Sequence, residues 1–449
     1  MSVAKGEAVM KQTKRVAGIE SGTGPRTSAR AALLFGTLAA GCAQDTLTAE
    51  ERAALQEMHM PAAPPADPSN AVANDPDAAR LGQQLFFDRR FSGKLGEDSS
   101  VAAGGLGAAG TPGTVACVTC HDPARGGADW RPLGGTSLAA GWTARNSMTV
   151  LNAAFSPWMF WDGRRDSLWS QALGPVESSV EQNTTRLAVA HTLFDHYRGA
   201  YEKIFGALPG LDDTTRFPRE GRPGLAAFDA MAVDDKMAVN RVFANFGKAV
   251  AAYERLLVDR ASPFDRYLDG DVTAISESAI RGAKLFVGRA ACNECHSGPV
   301  LADGKFHNHG VPQTGTKVMA IDPGRQAGID KLLADEFNAG SIYSDSPRPD
   351  YAASLHAQPS DLGAFKTPTL RNVNKTGPYM HTGAFTSLWD VVAWYNDAAG
   401  TDGFSGTRAA ASAVPLRLSR EEIDDLVEFL RSLDGDPLPA ALVTAPDLP

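Results

Sequence analysis

Cys117-Val118-Thr119-Cys120-His121 decides how this 449-residue chain is read, because the pattern returns as Cys292-Asn293-Glu294-Cys295-His296. Two thiols one helical turn apart are placed to add across the two vinyl groups of one porphyrin. The adjoining imidazole then lies beneath the iron. A single Cys-x-x-Cys would also fit a redox dithiol or half of a zinc site. Two copies, each closed by His, take four of the five cysteines. None is left for another thiol-rich centre. The expectation is two covalent c-type haems with His121 and His296 as their proximal iron ligands.

Working outward, Gly82-Gln83-Gln84-Leu85-Phe86 precedes the first motif as Gly282-Ala283-Lys284-Leu285-Phe286 precedes the second. An internal repeat in the same order argues for duplicated units. The fold expected is mainly α, with two tandem cytochrome c-like helical haem domains and long loops. They span 76–270 and 271–440, with the boundary near Asp269-Gly270-Asp271. Apolar spacing predicts helices over Arg80–Phe87, Leu187–Phe205 and Val239–Leu257. Another runs from Ser167 to about Leu173, stopped by Gly174-Pro175. Ser419-Arg420-Glu421-Glu422 reads as a capping box that opens a final helix with Ile423, Leu426, Val427, Leu430 and Leu433 inward. His191 and His196 read as packed or solvated rather than as ligands. The Gly/Ala-rich segment between Gly93 and Cys117 reads as a surface loop, and 298–362 as loop-rich.

Hydrophobic content of 43% and a charged fraction of 21% are ordinary for a globular protein. A net charge of −9 gives no footprint for nucleic acid and suits a basic electron-transfer partner. No apolar run reaches transmembrane length. The nearest, Ala31 to Gly41, follows Lys11, Lys14, Arg15, Arg26 and Arg30, so residues 1–42 read as an export signal, with Met10 as an alternative start. The run ends at Leu38-Ala39-Ala40-Gly41-Cys42. This is similar to a lipobox that would leave a lipid on Cys42; cleavage after Ala43 is the alternative. Either way the protein is expected outside the cytoplasm, in the periplasm, with membrane contact only through that anchor. Residues 43–75, with Ala62-Ala63-Pro64-Pro65-Ala66-Asp67-Pro68, read as a flexible tether in which His59 is solvated.

Further stretches resemble the bacterial di-haem cytochrome c peroxidase and MauG family. They are Leu85-Phe86-Phe87-Asp88, Arg90-Phe91-Ser92-Gly93, Arg145-Asn146 with Leu151-Asn152-Ala153, and Trp161-Asp162-Gly163-Arg164. To these add Gln171-Ala172-Leu173-Gly174-Pro175, Phe365-Lys366-Thr367-Pro368-Thr369-Leu370-Arg371-Asn372 and Thr376-Gly377-Pro378-Tyr379-Met380-His381-Thr382-Gly383. The likeness runs from about residue 77 to 435. It implies a peroxidatic N-terminal haem and an electron-transfer C-terminal haem. It also implies Trp161 as the relay between them, and Gln171, Pro175 and Glu181 as distal-pocket residues over the first haem. A carboxylate there moves a proton from the near to the far peroxide oxygen. Glu177 is a nearby decoy, and only its spacing from Trp161 singles out Glu181. Asn146, with the carbonyls of Thr376 and Pro378, would hold one Ca²⁺.

Two departures set the subtype. No His lies between His121 and His191, where family peroxidases often carry a distal His, so the first haem is expected to be open at rest. The family's axial Met is replaced by Tyr395, which is expected to ligate the second iron. Core packing of Tyr395, or recruitment of Met380, are the alternatives. The function expected is a di-haem peroxidase that reduces hydrogen peroxide with electrons from a small c-type cytochrome or copper protein. A MauG-like enzyme that oxidises a side chain of a partner protein, and a non-catalytic electron carrier, are the alternatives.

Overall fold

The computed structural model describes residues 47–449 apart from 102–103, 132, 316 and 399–413. The expected export signal over 1–42, with Cys42, lies outside the described residues. Asp45–Pro449 form one compact unit. No described helix is long and apolar enough to cross a membrane.

Thr48 caps α1 (Ala49–Gln56): its hydroxyl accepts from the Glu51 N–H at 3.1 Å, and the Glu51 carboxylate accepts from the Thr48 N–H at 2.8 Å. This reciprocal pair stabilises a first turn. Leu55 and Met58 are buried in the C-terminal core. The Met60 N–H donates to Asp265 and the Asn70 amide to the Lys248 carbonyl. The tether expected over 43–75 is therefore folded from residue 47 onward. Its order comes from partners far along the chain, which local composition does not report. His59 is also held, 3.1 Å from Asp269.

Asp75 opens α2 (Pro76–Phe87) by accepting from the N–H groups of Asp77 and Ala78. Pro76 fits the first helical position, where its missing N–H is not needed. α3 (Leu168–Glu177) outlasts the predicted stop at Gly174-Pro175. The carbonyls of Pro175 and Val176 are taken by the N–H groups of Gln182 and Thr184, so the last turn is satisfied from outside the helix. The single helix expected over Leu187–Phe205 is two, α4 (Arg186–His196) and α5 (Arg198–Phe205), parted at Tyr197. Tyr197 leaves helical geometry there, and its hydroxyl donates to Asp88 at 2.8 Å. α6 (Val233–Glu254) is the central helix of this half. It packs against α2 and α3 through Phe86, Trp169, Leu173, Phe243, Phe246 and Val250.

The other half follows the same plan. α7 (Pro263–Leu268), α8 (Glu277–Val287), α9 (Leu388–Asn396) and α10 (Arg420–Arg431) enclose Phe264, Phe286, Val392, Leu426 and Phe429. Ser419 and Glu422 form the expected capping box on α10. Two short antiparallel strands, β1 (Phe306–His307) and β2 (Phe365–Lys366), pair Phe306 with Lys366 and His307 with Phe365. The fold class is as expected, mainly helical with long connections. The loop between Gly93 and Cys117 is more ordered than expected, because Leu95 and Val115 pack on Ala139 and Ala140.

The repeated glycines explain the repeated helix pairing. A Cβ on Gly82 would collide with the Ala249 carbonyl of α6, and one on Gly282 with the Asp425 carbonyl of α10. In each half the helix that precedes the haem motif crosses the last helix of its core at backbone contact. Gly→Ala inside a helix ordinarily stabilises by about 0.5–1 kcal/mol. Here Gly82→Ala is expected to destabilise by about 1–3 kcal/mol through overpacking. A urea midpoint that rises instead would contradict the close approach.

A second repeat runs deeper than the sequence reading found. Asn152 and Asn372 both take left-handed φ of 60°, Phe160 and Met380 take 64° and 69°, and Gly163 and Gly383 take 64° and 67°. Isolated bridges Met159–Arg165 and Tyr379–Phe385 follow the same register. Ser167 caps α3 as Ser387 caps α9. At this constant offset Trp161 corresponds to His381, Asn146 to Lys366, and Pro175 to Tyr395.

Candidate active site

The two Cys-x-x-Cys-His motifs open onto one continuous cavity of about 590 Å³. In the first, Cys117–Cys120 is a single helical turn whose carbonyl at Cys117 accepts from the His121 N–H at 3.0 Å. His121 Nδ1 lies 3.3 Å from the Gly127 carbonyl. In the second, Cys292–Glu294 is a tighter turn, and His296 Nδ1 lies 2.9 Å from the Leu301 carbonyl. An imidazole fixed through Nδ1 to a carbonyl presents Nε2 to a metal. Burial lowers the pKa of both imidazoles, which favours the neutral, ligating form. It pushes the Cys117 and Cys292 thiols up to about 12. No cysteine is paired in a disulfide among the described residues. The donor set fits two c-type haems: four free thiols, two neutral imidazoles, and one mostly apolar cavity lined by Cys117, Cys120, His121 and His296.

Trp161, Gln171, Pro175 and Glu181 all line this cavity. Glu181 is close enough for its charge to act on Cys117, Cys120 and His121, which places it at the first motif. Glu177 does not line the cavity and is held by Arg186 at 2.8 Å. His121 is the one imidazole that the N-terminal half contributes to the described cavity wall; the others are His296, His307, His309 and His381. His191 is buried, with Nε2 2.9 Å from the Phe217 carbonyl.

At the centre, the Trp161 indole donates to the Asn146 carbonyl at 2.8 Å. Its ring meets His381 edge-on, with centroids 6.2 Å apart. Two backbone bonds cross between the halves in equivalent positions: Asn146 N–H to the His381 carbonyl and Lys366 N–H to the Trp161 carbonyl, both 2.7 Å. Burial holds His381 down at about 3, so it is neutral at physiological pH, with Nε2 2.7 Å from Gln313 Nε2. The Arg145 guanidinium pairs with Asp162 at 2.6 Å and Asp322 at 2.7 Å, which locks this wall.

Tyr395 lines the cavity beside the second motif. Burial raises its phenol pKa, and the Cys295 and Cys292 thiols add to that. Its ring meets His309 edge-on, centroids 5.6 Å apart. Met380 also lines the cavity, next to His381. The Asn146 amide donates to the Pro378 carbonyl at 2.6 Å, and Thr376 lies on the same loop and the same wall.

Three cavity residues escaped the sequence reading. Glu254 is buried, and burial raises its carboxyl to about 8. It sits on a helix predicted correctly, but charged residues on an amphipathic helix read as its solvent face. His309 lies in a stretch read as loop-rich, and Lys366 in the family-resembling stretch Phe365–Asn372, where it carries no assigned role.

Residues 76–273 match the family described as di-haem cytochrome c peroxidase. The chain is 32% identical over 395 residues to the cytochrome-c peroxidase IdrP1 of Denitromonas iodatirespirans, covering 85% of this chain and 88% of that one. It is 30% identical over 400 residues to the methylamine utilization protein MauG of Methylophilus methylotrophus, covering 88% and 92%. Its fold is similar to the crystal structure of the diheme peroxidase BthA from Burkholderia thailandensis, with a TM-score of 0.58, 23% identity and coverage of 86% and 94%. With relatives named as peroxidases covered over most of their length, the chain is an oxidoreductase that acts on peroxide. The chain belongs to the di-haem cytochrome c peroxidase family, whose members carry two c-type haems.

Proposed function

We propose that the N-terminal haem, on His121, is the peroxide site and that the C-terminal haem, on His296, is the electron-transfer site, capped by Tyr395. The observation that carries this assignment is the equivalence of Pro175 and Tyr395. They occupy the same position on α3 and α9, each facing the cavity. Proline has no side-chain donor atom and leaves the first site open. Tyrosine offers a phenolic oxygen to the second.

Bound haem supplies an iron that takes peroxide and accepts electrons. The protein supplies the rest. Glu181 takes the proton from the near peroxide oxygen and returns it to the far one, so that water leaves. The Gln171 amide orients the peroxide. Two electrons and two protons complete the reduction of one H₂O₂ to two waters. The electrons come from a small c-type cytochrome or copper protein and reach the first site through the Trp161 indole. The paired Arg145 wall holds Trp161 still and keeps bulk water from it. Asn146 Oδ1, with its amide flipped, and the carbonyls of Thr376 and Pro378 would hold one Ca²⁺. The domains divide near Asp269-Gly270-Asp271. Residues 1–42 direct export to the periplasm, and Cys42 carries a lipid.

Tyr395→Phe tests the assignment of the two sites. The absorption and electron paramagnetic resonance signals of the second haem alone are expected to change. Unchanged signals would remove Tyr395 as a ligand, and a change at the first haem would reverse the assignment.

A further inference from the structure

Lys366 is a buried cation that none of the roles above uses. It is 8% exposed and lines the cavity between the two motifs. Its Nζ donates to Ser156 Oγ at 2.9 Å, and no ion pair involving it is found among the described residues. The arginines at this wall are already matched. Arg145 is held by Asp162 and Asp322, and Arg164 by Asp162 at 3.0 Å. Burial pulls the Lys366 ammonium down to about 8, with no carboxylate opposing the shift; it is still protonated at neutral pH. An ammonium buried without an anion is costly, and proteins pair such groups or neutralise them.

The two haems bring the missing anions, since each carries two propionate carboxylates. The position of Lys366 is also specific. Its backbone N–H is bonded to the Trp161 carbonyl, which roots the side chain at the wall between the two haem sites. It reaches across the halves to Ser156, just after Phe155. Near Cys117 of the first site the buried acid is Glu254. Burial keeps that carboxyl neutral at pH 7. The cavity therefore carries an ammonium without an ion-pair partner at the wall where Lys366 joins Trp161.

We infer that Lys366 Nζ is the counter-ion of a haem propionate at the Trp161 wall of the cavity. The pair would fix the propionate edge of that haem beside the indole. It would also favour the reduced iron, because a nearby cation opposes the extra positive charge of the ferric state.

The test is potentiometry on holoprotein with both haems attached. Lys366→Met is expected to shift one haem's reduced/oxidised equilibrium about tenfold toward ferric, about 59 mV for a one-electron couple. Lys366→Arg, which keeps the charge, is expected to restore it. The haem that shifts is the one whose propionate is held. Both potentials unchanged in a folded, fully haem-loaded Lys366→Met would overturn the inference. Should that variant fail to assemble, redox-difference infrared spectra of wild-type protein labelled with ¹⁵N-lysine decide. An ammonium band that moves with the label and disappears in Lys366→Arg supports the pairing. Its absence from the wild-type spectrum contradicts it.

Discussion

Glu181→Gln is expected to slow the reaction with peroxide by about 10²–10⁴-fold, the range that a positioned proton-transfer group contributes. Both haems should stay attached, because Glu181 makes no bond to either motif and its backbone is held independently. Its carbonyl accepts from the Ala140 N–H at 3.0 Å, and its N–H donates to the Ser178 carbonyl at 3.1 Å. Glutamine keeps the shape and loses the proton acceptor. Glu177→Gln is the control: that carboxylate is engaged with Arg186 outside the cavity, so peroxide kinetics should be unchanged. If both variants react at the wild-type rate, Glu181 has no part in the chemistry. If only Glu177→Gln is slow, the spacing argument picked the wrong carboxylate. Stopped-flow absorbance in the Soret region reads both.

The largest stability effect is expected at Asp265→Ala. Asp265 and Arg371 are 4% and 2% exposed, 2.5 Å apart. Arg371 also donates to Ser262 Oγ at 3.2 Å, to the Pro299 carbonyl at 3.0 Å and to the Met58 carbonyl at 2.5 Å. One guanidinium thus ties α7, the loop after the second haem motif, and the segment after α1. Removing its carboxylate strands a buried charge, which costs about 3–5 kcal/mol. Adding Arg371→Met should recover much of the loss, because the stranded charge goes with it. A urea midpoint within error of wild type for Asp265→Ala would contradict the account. Burial by itself raises the Asp265 pKa, but Arg371 outweighs it and the net shift is downward. The pair's contribution is therefore present above the ordinary carboxylate pKa and is lost as pH falls through the lowered folded value.

What was legible in the sequence was whatever is written locally. The haem motifs fix four thiols and two imidazoles within five residues each. The capping box at Ser419 and the apolar stripe of α10 need no distant partner. Glu181, Gln171, Trp161 and Tyr395 were picked out by spacing in a resembling family, and the fold brings all four to one cavity. What escaped depends on distant partners. Residues 47–75 have a loop's composition, yet Leu55 and Met58 fill a core made by the C-terminal helices. Pro175 looks like a helix stop, but the N–H groups of Gln182 and Thr184 satisfy the C-terminal carbonyls of Pro175 and Val176 and the helix runs on to Glu177. The equivalence of Trp161 with His381 is invisible residue by residue, because backbone φ and bridge positions persist where side chains differ. Glu254 escapes because a charged residue on an amphipathic helix ordinarily faces solvent, and Lys366 stands in a resembling stretch that gives it no role; only the enclosed cavity singles them out.

The measurement that tests the central claim most directly mixes the all-ferric protein with one equivalent of hydrogen peroxide, with no prior reduction. A first haem left open by Pro175 reacts at once: the Soret band changes and the peroxide is consumed. Turnover then follows when a reduced small c-type cytochrome is added. No reaction until the second haem has been reduced would mean that the first site is closed at rest, which contradicts the assignment of an open N-terminal haem.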